Sequence, residues 1–114
     1  MRECIFCRIA RKELPAEIVL ENGSVLAFKD TNPQAPVHVL VIPKRHIGRL
    51  LEVEGEDLPV LTEIHGALQG LAKKLHVDQN GFRVVVNNGP DAGQAVDHLH
   101  YHFLAGRKLS WPPG

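Results

Sequence analysis

Residues 96–104 read VDHLHYHFL. Three histidines, His98, His100 and His102, occupy alternate positions, with Leu99, Tyr101 and Phe103 between them. Successive side chains on a strand point to opposite faces, so the pattern predicts a strand, drawn over residues 97–106. One face then carries imidazoles and the other large apolar groups. Side chains two residues apart on one face stand about 6.6 Å apart along the strand. Three imidazoles at that spacing can meet successive atoms of one elongated ligand, or share metal ions. The apolar face needs a cover, and the main helix is expected to supply it. Just before the strand, the loop GPDAGQA at 89–95 carries Gly89 and Gly93. Glycine-bearing turns of this kind can bring backbone N–H groups close to an anion.

Outward from this stretch, EIVL (17–20) and SVLAFKD (24–30) read as two strands joined by Asn22-Gly23, a hairpin signal. TNPQAP (31–36) is a turn-rich loop. VHVLVIP (37–43) is a third strand stopped by Pro43, and FRVVVNN (82–88) a fourth. Leu58, Leu61, Ile64, Leu68, Leu71 and Leu75 recur every three or four residues and predict the main helix over residues 57–75. Asp57 is its expected N-cap and Pro59 lies in its first turn. Gly66 and Gly70 interrupt it at about 1 kcal/mol each relative to alanine, which marks the approach of another backbone, such as a partner subunit's. A shorter helix is predicted in CIFCRIARKEL (4–14), with Ile5, Phe6 and Ile9 on one face and its end set by Pro15. Few strands joined by hairpins, with one main helix, give an α+β domain with an antiparallel sheet. It is expected to span residues 1–114, with no repeat, linker or low-complexity tract.

Composition narrows the function. The 13 basic and 13 acidic residues balance, so no cationic excess supplies the counterion release that drives binding to nucleic acid. The apolar runs are too short and interrupted for a transmembrane helix. The opening MRECIFCRIARKEL becomes charged where a signal peptide needs its apolar stretch, which points to a cytoplasmic protein. In a reducing compartment, Cys4 and Cys7 are then thiols or metal ligands rather than a disulfide.

A histidine is largely neutral at cytosolic pH, with an ordinary pKa near 6.5. Its free nitrogen can attack phosphorus when the other nitrogen keeps its proton and is held by an acceptor. A neighbouring histidine can serve the leaving group or a phosphate oxygen. The strand and its glycine loop therefore point to phosphoryl or nucleotidyl transfer. A metal-dependent hydrolase is the rival chemistry, because H-x-H on a strand is also a good chelate. Cys4 and Cys7 form C-x-x-C, with His46 and the strand histidines elsewhere in the chain. Two thiolates and two imidazoles make a closed, structural zinc site, while inert buried thiols and a redox pair are the other readings.

HLHYHFL resembles the H-φ-H-φ-H-φ-φ signature of the histidine triad superfamily of nucleotide hydrolases and transferases. IFCRIARKELPAEIVLEN, VLAFKDTNPQAPVHVLVIPKRHI, FRVVVNNG and GRKLSWPPG extend the likeness over nearly the whole chain, towards the histidine triad nucleotide-binding protein branch. The resemblance implies a five-stranded antiparallel sheet with two helices, paired as a homodimer. It implies a purine nucleotide substrate, with hydrolysis of adenosine 5′-phosphoramidate-type compounds through a nucleotidyl-histidine intermediate. A dinucleoside polyphosphate hydrolase, or a nucleotide-binding module with incidental hydrolysis, are its alternatives.

Carried over by motif, His100 is the nucleophile, His102 serves the phosphate or leaving group, and His38 supports the nucleophile. Asp30 takes the ribose hydroxyls and Phe28 walls the base. Asn88 and the amides of Gly93, Gln94 and Ala95 line the phosphate side. Ala95 stands where the best-known members carry serine, which removes a hydroxyl near the scissile bond. In relatives with the C-x-x-C, zinc is held by positions that correspond to Cys4, Cys7, His46 and His98.

Overall fold

The computed structural model describes residues 4–114. Its elements are α1 (Ile5–Ala10), β1 (Ile18–Glu21), β2 (Val25–Lys29), β3 (Val37–Pro43), α2 (Leu58–Lys74), β4 (Phe82–Val86) and β5 (Tyr101–Ala105). The strands form one antiparallel sheet in the order β1-β2-β3-β5-β4. This is the α+β arrangement of five strands, one main helix and one short helix that the sequence implies.

Alternation along the strands sorts the core into two layers. Val39 and Val41 of β3, with Phe103 and Ala105 of β5, pack against Ile64, Leu68 and Leu71 of α2. Leu40 and Ile42 of β3, with Leu26 and Phe28 of β2, pack against Phe6 and Ile9 of α1. A strand covered on both faces reads as a continuous apolar run, which is why VHVLVIP lacks polar alternation. His38 breaks that run on the α1 side, and β3 pairs it with Leu104 and Leu40 with His102. The imidazoles His38 and His102 thus stand on the face that α2 does not cover.

The expected fifth strand is shorter than the alternation suggests. β5 begins at Tyr101, so His98, Leu99 and His100 precede it. The Leu99 N–H donates to the carbonyl of Ile47, 2.6 Å away, instead of joining a strand ladder. Leu99 is buried, yet it is Tyr101 and Phe103 that join the α2 layer.

Three local expectations are also corrected. α1 ends at a Schellman motif, with Lys12 at φ 65°, Lys12 N–H on Ile9 O and Glu13 N–H on Arg8 O. It therefore stops well before Pro15, and it buries Phe6 and Ile9 while Ile5 is exposed. The hairpin between β1 and β2 is real, but neither Asn22 nor Gly23 has positive φ. Asn22 Oδ1 instead accepts from Ser24 and Val25 N–H, at 2.8 and 2.9 Å. Asp57 precedes α2 without a side-chain cap. Its Oδ2 accepts from Glu54 N–H at 3.0 Å, and its Oδ1 lies 3.2 Å from Arg45 Nη1, an ion pair not aligned as a hydrogen bond. At the helical glycines, a Cβ on Gly70 would meet Leu20 of β1 at 3.5 Å, whereas Gly66 faces open space.

Candidate functional site

Two clusters of imidazoles lie back to back at the start of β5. The first draws Cys4, Cys7, His46 and His98 together, their donor atoms all within 4.8 Å of one another. Cys4 caps α1, accepting from the Cys7 N–H at 3.2 Å. Cys4 Sγ lies 3.2 Å and Cys7 Sγ 3.5 Å from His98 Nδ1, and Cys7 Sγ lies 3.2 Å from His46 Nδ1. His98 is fully buried, and its Nε2–H donates to the carbonyl of Pro43 at 2.8 Å. That bond keeps the proton on Nε2 and leaves the Nδ1 lone pair facing the thiols. Burial also pushes the imidazole's pKa down to about 4, so the ring is neutral in ordinary buffers.

The donor set fits a tetrahedral zinc ion. Bonds of about 2.3 Å to sulfur and about 2.0–2.1 Å to nitrogen place S and N about 3.5 Å apart around one ion. The sulfur–nitrogen separations here, 3.2–3.5 Å, are of that size.

The second cluster holds His100, His102, His38 and Asp30. His100 is buried, and its Nδ1–H donates to the carbonyl of His98 at 2.7 Å. Its Nε2 therefore keeps a lone pair. The expected support of this ring by His38 is not the contact found. His38 Nε2 meets His102 Nδ1 at 2.9 Å and lies 3.4 Å from Asp30 Oδ2. His38 Nδ1 in turn accepts from the Gln34 N–H at 3.0 Å. Burial holds both rings below the usual imidazole pKa. His100 and His38 add to the effect at His102, and the Asp30 carboxylate opposes it at both.

Phe6 shares the buried face of α1 with Ile9, and its ring stands edge-on to His100 at 5.2 Å and to His98 at 5.9 Å. Phe28 lies behind it, 5.5 Å from Phe6 and 4% exposed, so it is one layer removed from the imidazoles. The helical spacing of Phe6 and Ile9 put Phe6 on a buried face; nothing local to the sequence showed which histidine that face would meet.

The glycine loop is built as a closed staple. Gly89 at φ 86° and Gly93 at φ 83° occupy conformations costly for other residues. Gln94 holds the loop through its side chain: Oε1 accepts from Gly89 N–H, and Nε2 donates to the carbonyls of Gly48 and Val96. Of the three amides expected to face phosphate, Gly93 N–H is donated to Pro90 O and Gln94 N–H to Gly89 O. The Ala95 N–H has no partner among the described residues. Asn88 Oδ1 accepts from Leu51 N–H at 2.8 Å, which fixes the side chain through its oxygen and leaves its Nδ2 amide as the donor.

Residues 11–109 of the chain match the HIT domain. The chain belongs to the HIT family. A 14 kDa zinc-binding protein of Zea mays is 45% identical over 113 residues, covering 96% of this chain and 87% of that protein. The crystal structure of a HIT family hydrolase from Legionella pneumophila superposes with a TM-score of 0.96 at 43% identity, covering 98% of this chain and all of that one. That of a histidine triad nucleotide-binding protein from Candida albicans gives 0.83 at 34% identity, over 96% and 83% of the two chains. The relatives thus include a HIT family hydrolase and, separately, a zinc-binding protein. Among the described residues, no helix is long and apolar enough to cross a membrane.

Proposed function

We propose that this HIT protein is a purine nucleoside phosphoramidase that works through a nucleotidyl-histidine intermediate. One observation carries the reading: the buried His100 donates Nδ1–H to the His98 carbonyl at 2.7 Å, which turns its Nε2 outward as the nitrogen to attack. Attack by Nε2 forms a bond to the α-phosphorus. The P–N bond of the substrate breaks, and its nitrogen, protonated beforehand as in other phosphoramidate cleavages, leaves as the amine. Water then attacks the same phosphorus, releases the nucleotide and restores the imidazole. The positive charge that His100 gains in the intermediate is stabilised through Nδ1–H by the His98 carbonyl. His102, whose Nδ1 accepts from His38, offers Nε2–H to the phosphate or leaving group.

The nucleotide is assigned to the same face. Asp30 receives the ribose hydroxyls, Phe6 with Phe28 behind it forms the apolar wall for the base, and the Ala95 amide takes a phosphate oxygen. Gly93, Gln94 and Asn88 contribute by shaping the loop. A structural zinc ion is assigned to Cys4, Cys7, His46 and His98; bound there, it supplies folding energy by tying α1 to the segment before β5. The reading includes a cytoplasmic homodimer. β4 is an edge strand and Phe82 on it is 42% exposed, a surface that a second copy would cover by extending the sheet.

Ala95 favours a second reading, a nucleotide-binding module with slow, incidental turnover, because no side-chain hydroxyl stands there. The test is a brief alkaline denaturing quench, which preserves a phosphorus–nitrogen bond, after mixing with adenosine 5′-phosphoramidate. Wild type should carry covalent nucleotide that chases to adenylate, and His100→Ala should carry none and turn over no substrate. Full activity in His100→Ala would end the proposal. Micromolar binding without turnover in wild type would select the module.

A further inference from the structure

Asp30, His38 and His102 bring three donor atoms within 4.8 Å of one another, the same convergence found among Cys4, Cys7, His46 and His98. Two imidazoles and a carboxylate are a common donor set for transition metals. Convergence alone does not make a metal site, however. A neutral imidazole has one lone pair, and the hydrogen bond at one nitrogen decides which nitrogen keeps it. At His98 a carbonyl, that of Pro43, takes the proton of Nε2 and frees Nδ1 for a metal. At His38 the backbone partner is a donor instead. The Gln34 N–H points at Nδ1 from 3.0 Å, so Nδ1 must hold the lone pair and Nε2 the proton.

That proton faces two acceptors, His102 Nδ1 at 2.9 Å and Asp30 Oδ2 at 3.4 Å. His102 Nδ1 then accepts, and the proton of a neutral His102 sits on Nε2. A cation on His38 Nε2 would push the His38 proton to Nδ1, where it would confront the Gln34 N–H with no lone pair between them. Protonating His38 meets the same conflict, and the burial of its ring acts in the same direction.

We propose that the backbone N–H of Gln34 is a positioning group: it locks His38 in the Nε2–H form, makes His102 a donor at Nε2, and keeps transition metals out of the Asp30–His38–His102 cluster. Gln34 is itself braced by two further bonds. Its side-chain Nε2 donates to Asn32 O at 3.0 Å, and its carbonyl accepts from Arg107 Nη2 at 2.9 Å. Asn32 N–H donates to Asp30 Oδ1 at 2.8 Å, so the acid and the lock share one loop. The value of a His102 donor for turnover rests on the proposed phosphoramidase chemistry. The lock and the exclusion of metal do not.

Long-range proton–nitrogen NMR of the histidine rings, on zinc-loaded protein, reads the lock directly. His38 and His102 should both appear as Nε2–H forms, and an Nδ1–H form of His102 would overturn the proposal. Gln34→Pro removes the N–H, and Gln34→Ala keeps it. Gln34→Ala should retain the wild-type ring forms and zinc content. Folded Gln34→Pro should convert His38 to Nδ1–H and, after incubation with zinc, hold one more ion per chain than wild type by elemental analysis. Unchanged rings or unchanged zinc in folded Gln34→Pro would overturn it, as would a second zinc in wild type. If Gln34→Pro does not fold, the wild-type ring spectrum decides alone. Failure of the hydrolase reading would appear in the His100→Ala assay and leave these spectra unaltered.

Discussion

The two histidine clusters are made of similar side chains and differ in what the backbone offers them. His98 meets the carbonyl of Pro43 and His38 meets the amide of Gln34. The acceptor leaves His98 with a lone pair turned towards two sulfurs, and the donor leaves His38 with a proton turned towards another imidazole. One peptide group read from its oxygen end and another from its nitrogen end thus separate a cluster that turns a lone pair inward from one that turns a proton inward. A count of histidines, acids and cysteines would treat them alike.

The largest expected effect breaks the catalytic half alone. His100→Ala should lower turnover at least about 10³-fold, about 4 kcal/mol of barrier, with zinc content unchanged by elemental analysis. Next comes the metal half. Cys7→Ala should lose bound zinc, and a loss of about 3 kcal/mol of metal-linked stability lowers Tm by roughly 10–15 °C in a chain of this size. Scanning calorimetry of both variants checks the division, since His100→Ala should shift Tm far less. Loss of metal in His100→Ala would show that the clusters are one unit.

Ala95→Ser should raise turnover by up to about tenfold by restoring one hydrogen bond, roughly 1.4 kcal/mol, read in kcat for the phosphoramidate. A gentler test concerns pH. His38 and His102 have folded-state pKa values below the ordinary 6.5, so the unfolded chain takes up these protons first as pH falls. Stability should therefore decline as pH drops from about 6.5 towards the folded values, and denaturant unfolding of the His38→Asn, His102→Asn double variant should show less of that decline. The smallest effect concerns the open helix face. Gly66→Ala should stabilise the chain by about 1 kcal/mol, and a weaker dimer in sedimentation would instead show a second backbone lying on that face.

Much of the sheet was legible because its strands alternate or run apolar within turn signals, and because the leucines of α2 keep helical spacing. What escaped had partners far away in sequence. The alternation at 98–103 continues across the start of β5, yet Leu99 binds Ile47 and the chain before Tyr101 leaves the ladder. The histidine pattern survives that bend because the rings are fixed one by one, by Pro43 O, His98 O and His38. The family resemblance puts Gln94 and Asn88 on the phosphate side, but it does not show what holds their side chains. Gln94 Nε2 is bonded to Gly48 and Asn88 Oδ1 to Leu51, both more than thirty residues away, so each side chain also braces the loop. The end of α1 was hidden differently, since Lys12 adopts a left-handed conformation that sequence usually announces with glycine.

His98 puts its ring among the thiols and lends its carbonyl to His100. These are two ends of one residue, so a disturbance of Cys4 or Cys7 reaches His100 without anything touching the His100 imidazole itself. An alkylating agent or mercurial that captures either sulfur should therefore slow the proposed turnover from behind, with saturating nucleotide giving little protection.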